Sequence, residues 1–175
     1  DAFGCSGGVF MKQIYLGGRH GSLIGNYALV DDADYDWLNQ WKWTAKKSGN
    51  TFYAERGIGI KGTRKVVCIK MHRMVLGLIS PKDYGDHVDG NGLNNQRANI
   101  RKCSAKENTR NRRPYTGRTS KYKGVSCCPP GRKWVAKIGY NNKELRLGSF
   151  LSETDAALAY NEAAIKYHGE FAVIN

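Results

Sequence analysis

The chain has 175 residues, of which 28 are Lys or Arg and 15 are Asp or Glu, so its formal net charge at pH 7 is +13. Such a length can bury one substantial core or a few small ones, and the basic excess favours a polyanion as partner. The sequence contains no apolar run long enough for a membrane span. We therefore expect nucleic acid as the partner, and neither a membrane nor a small-molecule substrate.

The cysteines indicate reduced thiols in an intracellular protein. Their number is odd, and no C-x-x-C pair is present to begin a zinc site or a redox motif. The five are Cys5, Cys68, Cys103, Cys127 and Cys128. Residues 1–10 are Gly-rich and precede the first Met, so we expect them to be a leader or a cloning remnant.

Residues 11–85 predict a small β-rich module. Short apolar runs separated by Gly-rich turns are typical of strands, and Asp31 and Asp32 can cap a helix. The predicted strands lie around residues 14–16, 27–30, 51–54 and 65–69, and the predicted helices follow Asp32 and cover residues 71–77.

The tryptophans and His72 of this module each have two interpretations, and Arg73 has one. Trp37, Trp41 and Trp43 are favoured as core residues because Trp supplies large apolar area, with a base-stacking platform as the alternative. His72 opens an apolar helix, which favours a structural role over a ligand role. Arg73 is expected to contact phosphate.

Residues 86–113 carry the groups best suited to chemistry. Asp86 and His87 begin a predicted strand, an Asn- and Gly-rich loop follows over 90–95, and residues 98–101 suit a second strand. Ser104 and Glu107 have the spacing of a capping box, which predicts that a helix begins there. The unit is therefore strand, loop, strand and helix.

The polar residues of this unit can hold a cation and activate water. The Asp86 carboxylate and the Asn108 amide oxygen are hard donors, suited to one Mg²⁺ or Mn²⁺ ion. His87 can take a proton from a water that attacks phosphorus. Asn99 can hydrogen-bond across the loop and hold His87 in place.

This stretch resembles the HNH, or ββα-metal, nuclease family, in the branch of phage-type homing endonucleases. The matching segments are His87 to Asn95, Asn99 to Arg101, and Glu107 with Asn108. The resemblance implies that His87 is the general base, that Asp86 and Asn108 are metal ligands, and that Asn99 orients the loop. It also implies DNA products with a 5′-phosphate and a 3′-hydroxyl. Asn94 and Asn95 are expected to shape the loop.

Two alternatives concern this region. The first is that the ββα unit serves DNA binding without catalysis. The second is a structural zinc site, which is not expected because the Cys pairs that would brace it are missing. A run of charge is usually a solvated face, but here it adjoins a predicted phosphodiester site, which favours phosphate contact. The cations expected to bind DNA here are Arg101, Arg110, Arg112, Arg113 and Arg118.

Residues 120–175 predict a separate module after a linker at 114–119. Three strands are expected over 121–126, 133–139 and 143–150, and a helix that begins at Ser152 and ends near Gly169. Alternation places Trp134, Ala136 and Ile138 on the face toward the helix. The opposite face is predicted to be open and basic, and its members are Lys133, Val135, Lys137, Glu144 and Arg146.

This segment resembles the Apetala-type (plant ethylene-response-factor) DNA-binding domain over nearly its full length. The resemblance rests on Tyr122 to Val125, Trp134 to Ile138, Leu147 to Phe150 and Ala156 to Asn161. It implies that a sheet face docks on DNA. The expected DNA contacts of this module are Lys123, Arg132, Lys133, Lys137 and Arg146.

The sequence thus predicts an α+β fold with an HNH domain over 11–113, whose ββα-metal core spans about 86–113. A three-stranded antiparallel sheet packed on one helix follows in the domain at 120–175. We expect a metal-dependent endonuclease, in particular a homing endonuclease, that acts on double-stranded DNA in the cytoplasm of a phage or bacterial setting. The chain is expected to be a monomer, with a dimer as the alternative. A non-catalytic DNA-binding regulator and an RNA-binding protein are the rival interpretations.

Overall fold

The computed structural model describes residues 10–21, 25–111, 119–128 and 133–175. These residues form a mixed α+β fold with three sheets and four α-helices. The chain divides into two compact units, Asp1–Ser104 and Ala105–Asn175. All of the predicted linker except Thr119 lies outside the described residues, as does the predicted leader apart from Phe10.

A five-stranded sheet and a separate hairpin make up the first unit. The sheet order is β2-β1-β3-β4-β5, in which β1 and β3 are parallel and the other neighbours antiparallel. The hairpin consists of β6 and β7. The elements are β1 (Met11–Gly17), β2 (Tyr27–Asp31), α1 (Asp32–Leu38), β3 (Trp43–Ser48), β4 (Thr51–Gly59), β5 (Val66–Lys70), α2 (Met71–Val75), β6 (Tyr84–His87) and β7 (Ile100–Cys103).

Strand alternation builds the core of the first unit. Ile14 and Leu16 are buried on β1 while the residues between and before them are exposed, as period-two geometry requires. Trp43 is 1% exposed and its indole donates to the Leu38 carbonyl at 2.8 Å. The core interpretation is therefore right for Trp43, and the other two tryptophans pack partly buried against the same cluster.

The hairpin joins this core through α2 and β7, which contribute Met71, Val75 and Ile100. A Cβ on Gly85 of β6 would lie 2.8 Å from the His72 ring. Glycine at this position therefore lets α2 pack directly on the strand that carries Asp86 and His87.

A three-stranded sheet and a long helix form most of the second unit. The sheet order is β10-β9-β8, all antiparallel, and the apolar side of α4 packs on it through Ala156, Tyr160 and Ala164. The predicted second and third strands are confirmed. The predicted helix start is also confirmed, because the Ser152 side chain accepts hydrogen bonds from the backbone amides of Thr154 and Asp155 in α4. The elements are α3 (Ala105–Arg110), β8 (Val125–Cys128), β9 (Lys133–Tyr140), β10 (Lys143–Phe150), α4 (Glu153–His168) and a short 3-10 helix at Gly169–Phe171.

Two details of this sheet differ from the prediction. The first strand begins at Val125 and not at residue 121, because Gly124 has φ of 72° and its Cα lies against the Tyr160 ring. Val135 is 3% exposed although it lies on the face predicted to be open. Its cross-strand neighbours are Ser126 and Ser149.

Among the described residues, none of the helices combines the length and the apolar character that crossing a membrane would require.

Candidate active site on the β6–β7 hairpin

The β6–β7 hairpin brings three of the predicted site residues together. Asp86 pairs with Arg101 and His87 with Ile100 in the antiparallel register. The Val88 amide then donates to the Asn99 carbonyl at 2.8 Å, which extends the pairing into the loop. The fourth predicted residue, Asn108, lies on α3 in the second unit.

Asn95 fixes the His87 imidazole. His87 is 4% exposed and its Nε2 lies 3.4 Å from the Asn95 Oδ1. The Asn95 Nδ2 donates to the Leu93 carbonyl at 3.1 Å, which turns the amide oxygen toward the histidine. An amide oxygen only accepts, so Nε2 carries the proton and Nδ1 is the nitrogen that would take one from water.

Burial keeps the His87 imidazole neutral. It lowers the pKa of His87 below the ordinary value, and the Asn95 hydrogen bond and the nearby carboxylates of Asp89 and Asp86 offset part of that shift. A neutral imidazole is the form that can act as a base near pH 7.

Two aromatic rings enclose the histidine. The His72 ring meets the His87 ring edge to face, with centroids 4.8 Å apart, and the Tyr53 ring lies 5.7 Å from each. Burial, with smaller contributions from His87, Lys70 and Arg73, lowers the pKa of His72 to about 3. His72 is thus a buried neutral ring behind His87, in agreement with the structural role predicted for it.

Asn99 and Asp89 hold the loop that follows His87. The Asn99 amide donates to the Asp89 Oδ1 at 3.0 Å and to the Asn94 carbonyl at 2.8 Å, and its oxygen accepts from the Asp89 amide at 3.1 Å. The Asp89 Oδ1 also accepts from the Asn91 amide at 2.8 Å. Partial burial raises the pKa of Asp89, but hydrogen bonds outweigh it and hold the pKa below its usual value: first that from the Asn94 Nδ2 to Oδ2 at 2.9 Å, then those from Asn91 and Asn99. The loop is therefore a closed hydrogen-bonded ring around one ionised carboxylate.

Backbone and ion-pair contacts attach this loop to the first sheet. The Leu29 amide donates to the Leu93 carbonyl at 2.9 Å, and the Asn95 amide donates to the Leu29 carbonyl at 2.8 Å. At the far end of the loop, Arg97 binds the carboxylate of Asp34 through two nitrogens at 2.7 and 2.8 Å, and Asp34 is 2% exposed. The site loop is thus supported by a rigid element on each side.

Asp86 is buried next to His87 and is paired with Arg101. It is 6% exposed, and its Oδ2 accepts from the Arg101 Nη2 at 3.0 Å and Nε at 3.2 Å. Arg101, predicted to bind DNA, here neutralises the predicted metal ligand. Its contact with DNA stays a prediction.

The donors fit a hard divalent cation in chemical type. Mg²⁺ is commonly held by one or two carboxylates, with water and phosphate completing the shell, so Asp86 and an amide oxygen are suitable ligands. In residues 10–21, 25–111, 119–128 and 133–175, no three His, Cys, Asp or Glu side chains are grouped so as to hold a metal ion.

The predicted DNA-binding cations have varied surroundings. The Arg73 guanidinium donates to three carbonyls of the loop before β6, at 2.6 to 3.3 Å. The Lys123 ammonium donates to the Arg110 carbonyl at the end of α3, and burial lowers the pKa of Lys123 to about 8. Both contacts are structural, so DNA contact by Arg73, Arg110 and Lys123 stays a prediction.

The cations of the second sheet lie nearer to solvent. Lys133 is exposed, Lys137 pairs with Glu144 at 2.6 Å, and Arg146 donates to Ser149 at 2.6 Å. DNA contact by these residues also stays a prediction. Four further predicted contacts lie outside the described residues, namely Arg112, Arg113, Arg118 and Arg132.

Sequence reasoning missed parts of this site. Tyr53 comes from β4, far from the hairpin along the chain, and its sequence context carries no signal of proximity to His87. Asn95 was assigned to loop shaping, and its second contact, with His87, depends on the fold. Asp89 stands in an Asp-Gly-Asn segment typical of a turn, which is the signal that could have found its role.

Comparison with known proteins gives two kinds of similarity, and no protein-family model matches the chain. Over most of its length the chain is similar to an HNH endonuclease. That relative is an uncharacterised HNH endonuclease of Acanthamoeba polyphaga mimivirus, 28% identical over 156 residues, which cover 86% of this chain and 75% of that protein.

The second similarity is to plant transcription factors over about a third of the chain. An AP2-like ethylene-responsive transcription factor of Arabidopsis thaliana is 45% identical over 58 residues, 32% of this chain and 17% of that protein. A second ethylene-responsive transcription factor of the same plant is also 45% identical over 58 residues, which are 14% of its length. The chain therefore spans less than a fifth of each of these plant relatives.

Proposed function

We propose that this protein is a metal-dependent endonuclease that hydrolyses a phosphodiester of double-stranded DNA, in particular a homing endonuclease. The observation that carries the proposal is the buried, neutral His87, whose proton position is set by Asn95, beside the Asp86 carboxylate. The similarity to an HNH endonuclease over 86% of the chain supports it. The net charge of +13 suits a nucleic-acid partner.

His87 would act as the base. Nδ1 takes a proton from a water molecule, and the resulting imidazolium is stabilised by the negative charge of Asp89. The contact with Asn95 keeps Nε2 as the donor, and the Asp89–Asn99 network keeps the loop from shifting the ring. Preorganised groups of this kind lower the barrier without reorganisation during the reaction.

A single Mg²⁺ or Mn²⁺ ion would be held by Asp86 and Asn108. Such an ion stabilises the charge that develops on the scissile phosphate and the leaving oxygen. One site of this kind cuts one strand, so a monomer would nick DNA and two copies would be needed for a double-strand break.

Nicking of supercoiled plasmid with Mg²⁺ or Mn²⁺ tests the proposal. His87→Ala should lower the cleavage rate by about 10² to 10⁴, the usual contribution of a general base, while plasmid binding stays unchanged. His20→Ala is the matched control, because His20 is a histidine outside the site whose ring lies near Phe52. DNA ligase should reseal the nick, since it needs a 5′-phosphate and a 3′-hydroxyl.

A DNA-binding regulator without nuclease activity is the second candidate. It is favoured by the 45% identity to ethylene-responsive transcription factors over 58 residues, close to the 56 residues of the predicted module at 120–175. Wild-type protein that binds plasmid but leaves it intact with either metal would establish this candidate and exclude the nuclease. Equal cleavage by His87→Ala would exclude His87 as the base.

A further inference from the structure

The β4–β5 hairpin extends beyond the sheet to which it belongs. β3 pairs with β4 only as far as Glu55, whereas β4 and β5 remain paired from Glu55 with Lys70 to Gly59 with Val66. Past Glu55 the hairpin is therefore a two-stranded ribbon, and residues 57–68 are all exposed. We call residues 56–70 the β4–β5 ribbon.

The ribbon is strongly basic and has an ordered tip. Residues 56–70 include five cations and no acidic residue. At the tip, the Ile60 amide donates to the Lys65 carbonyl at 3.0 Å, and the Thr63 hydroxyl bonds both strands of the turn. The cations are Arg56, Lys61, Arg64, Lys65 and Lys70.

Aromatic rings hold the two cations at the base of the ribbon. The Arg56 guanidinium lies 3.9 Å from the centroid of the Trp41 ring, and the Lys70 ammonium lies 4.2 Å from that of Tyr53. These contacts join the base of the ribbon to the rest of the first unit. The three tip cations, Lys61, Arg64 and Lys65, are left on the exposed end.

One face of the ribbon is apolar without belonging to the core. Ile58 and Val67 are cross-strand partners and are 40% and 49% exposed, and Ile60 on the same face is 43% exposed. None of the three belongs to the core cluster of this unit. An exposed apolar patch bordered by like charges is typical of an interaction surface.

We propose that the β4–β5 ribbon is a second DNA-contacting element of this protein, with Lys61, Arg64 and Lys65 on phosphates and the Ile58–Val67 face in the major groove. A two-stranded ribbon fits the width of that groove, where apolar side chains contact thymine methyl groups. A second copy of this chain is disfavoured as occupant, because its own five cations would face these five. The inference rests on the proposed function in that it takes DNA as the partner.

Binding of the full chain to a fluorescent random-sequence 40-bp duplex in EDTA tests the ribbon without cleavage. The variant Lys61→Ala/Arg64→Ala/Lys65→Ala should bind at least tenfold more weakly. Its slope of log affinity against log salt should be shallower by about three, one for each lost phosphate contact. The control Lys42→Ala/Lys47→Ala/Lys82→Ala removes the same charge from exposed positions of the same unit and should keep the wild-type slope.

Each result has a defined meaning. Equal losses in the two triple variants would overturn the ribbon proposal and leave the nuclease proposal intact. If the wild type binds DNA but does not nick plasmid, the nuclease proposal is overturned. The ribbon proposal would then still be decided by comparing the two triple variants. Ile58→Ser/Val67→Ser should weaken binding with an unchanged salt slope and unchanged sedimentation. A dimer in the wild type that this variant dissolves would show a second copy on the face and overturn the proposal.

Discussion

The β6–β7 hairpin with its loop and the sheet of the second unit place their polar residues in opposite ways. In the first unit Asp86, His87 and Asn95 are each less than a tenth exposed and are hydrogen-bonded. In the second unit, the polar side chains of the sheet lie near solvent, and the Lys137–Glu144 pair is 43% and 65% exposed. Its core is made largely of the alanines of α4 on β9 and β10.

This difference indicates what each unit requires of its polar groups. A buried polar group costs free energy unless it is bonded, and the bonds that compensate also fix its geometry. Exposed cations on long side chains keep their hydration and can adapt to a partner. Polar substitutions should therefore have large effects at the β6–β7 hairpin and its loop, and small ones on the sheet of the second unit.

Gly124→Ala should break this pattern, with the largest effect of all in the second unit. The residue has φ of 72° and a Cβ would overlap the Tyr160 ring, so strain and overpacking together should cost about 3 to 5 kcal/mol. Hydrogen exchange should accelerate across residues 133–171 and not across 11–59. Gly139→Ala is the control, since nothing lies within 4 Å of its added Cβ. Equal protection in both variants would contradict the crowding at Gly124.

The buried ring of His72 should make the stability depend on pH. Its pKa is about 3 in the folded state and 6.5 when exposed, so between these values the unfolded chain binds more protons. Stability is then complete above about pH 6.5 and falls as the pH drops toward 3. From pH 7 to 4 the loss should be about 3 kcal/mol. Urea unfolding at both values should show a smaller loss in His72→Phe, which cannot titrate, and an equal loss would contradict the assignment.

Asn95→Ala should show the large effect expected of a buried polar residue, in both the free energy of unfolding and the cleavage rate. It removes the hydrogen bonds of Asn95 to the buried His87 Nε2 and to the Leu93 carbonyl, which keeps only its bond from the Leu29 amide, and this should cost about 1 to 2 kcal/mol. Misplacement of the base should slow cleavage by about 10²-fold. Asn91→Ala, in an exposed Asn of the same loop, serves as control in urea unfolding and plasmid nicking. Similar losses in both variants would show that His87 needs only an intact loop.

Lys137→Met should have the smallest effect. The exposed ion pair with Glu144 contributes at most about 0.5 to 1 kcal/mol, so the unfolding midpoint should hardly move. If Lys137 contacts a phosphate, the salt slope of DNA binding should become shallower by about one. An unchanged slope would remove Lys137 from the DNA-contacting set.

Local patterns predicted much of the second unit and the frame of the site. Alternation along 133–139 and 143–150, the Ser152 cap and the Ala stripe of α4 are properties of neighbouring residues, so they can be read directly. The spacing of Asp86, His87 and Asn99 predicted that they would come together, and the hairpin brings them together. β3 was not predicted, because Trp43 and Ala45 are its only buried positions and it pairs with β1 across the intervening β2 and α1.

Partners that are distant in sequence could not be predicted. Tyr53 meets His87 only because β4 and the hairpin pack on one core. Arg73 and Arg101 were assigned to DNA from their charge, and Lys123 from the Apetala-type resemblance, yet each bonds an internal acceptor. A long cationic side chain selects among acceptors according to the tertiary structure, which composition and spacing do not encode.

The bonding of Leu29 to the site loop has a consequence for solubility. β2 is an edge strand of the five-stranded sheet, and the loop covers part of that edge through the parallel bridge between Leu29 and Asn94. Open edges are the places where sheets of separate molecules join. The loop that holds His87 therefore also protects the sheet against aggregation. Variants that loosen it should precipitate on mild heating before their cores unfold.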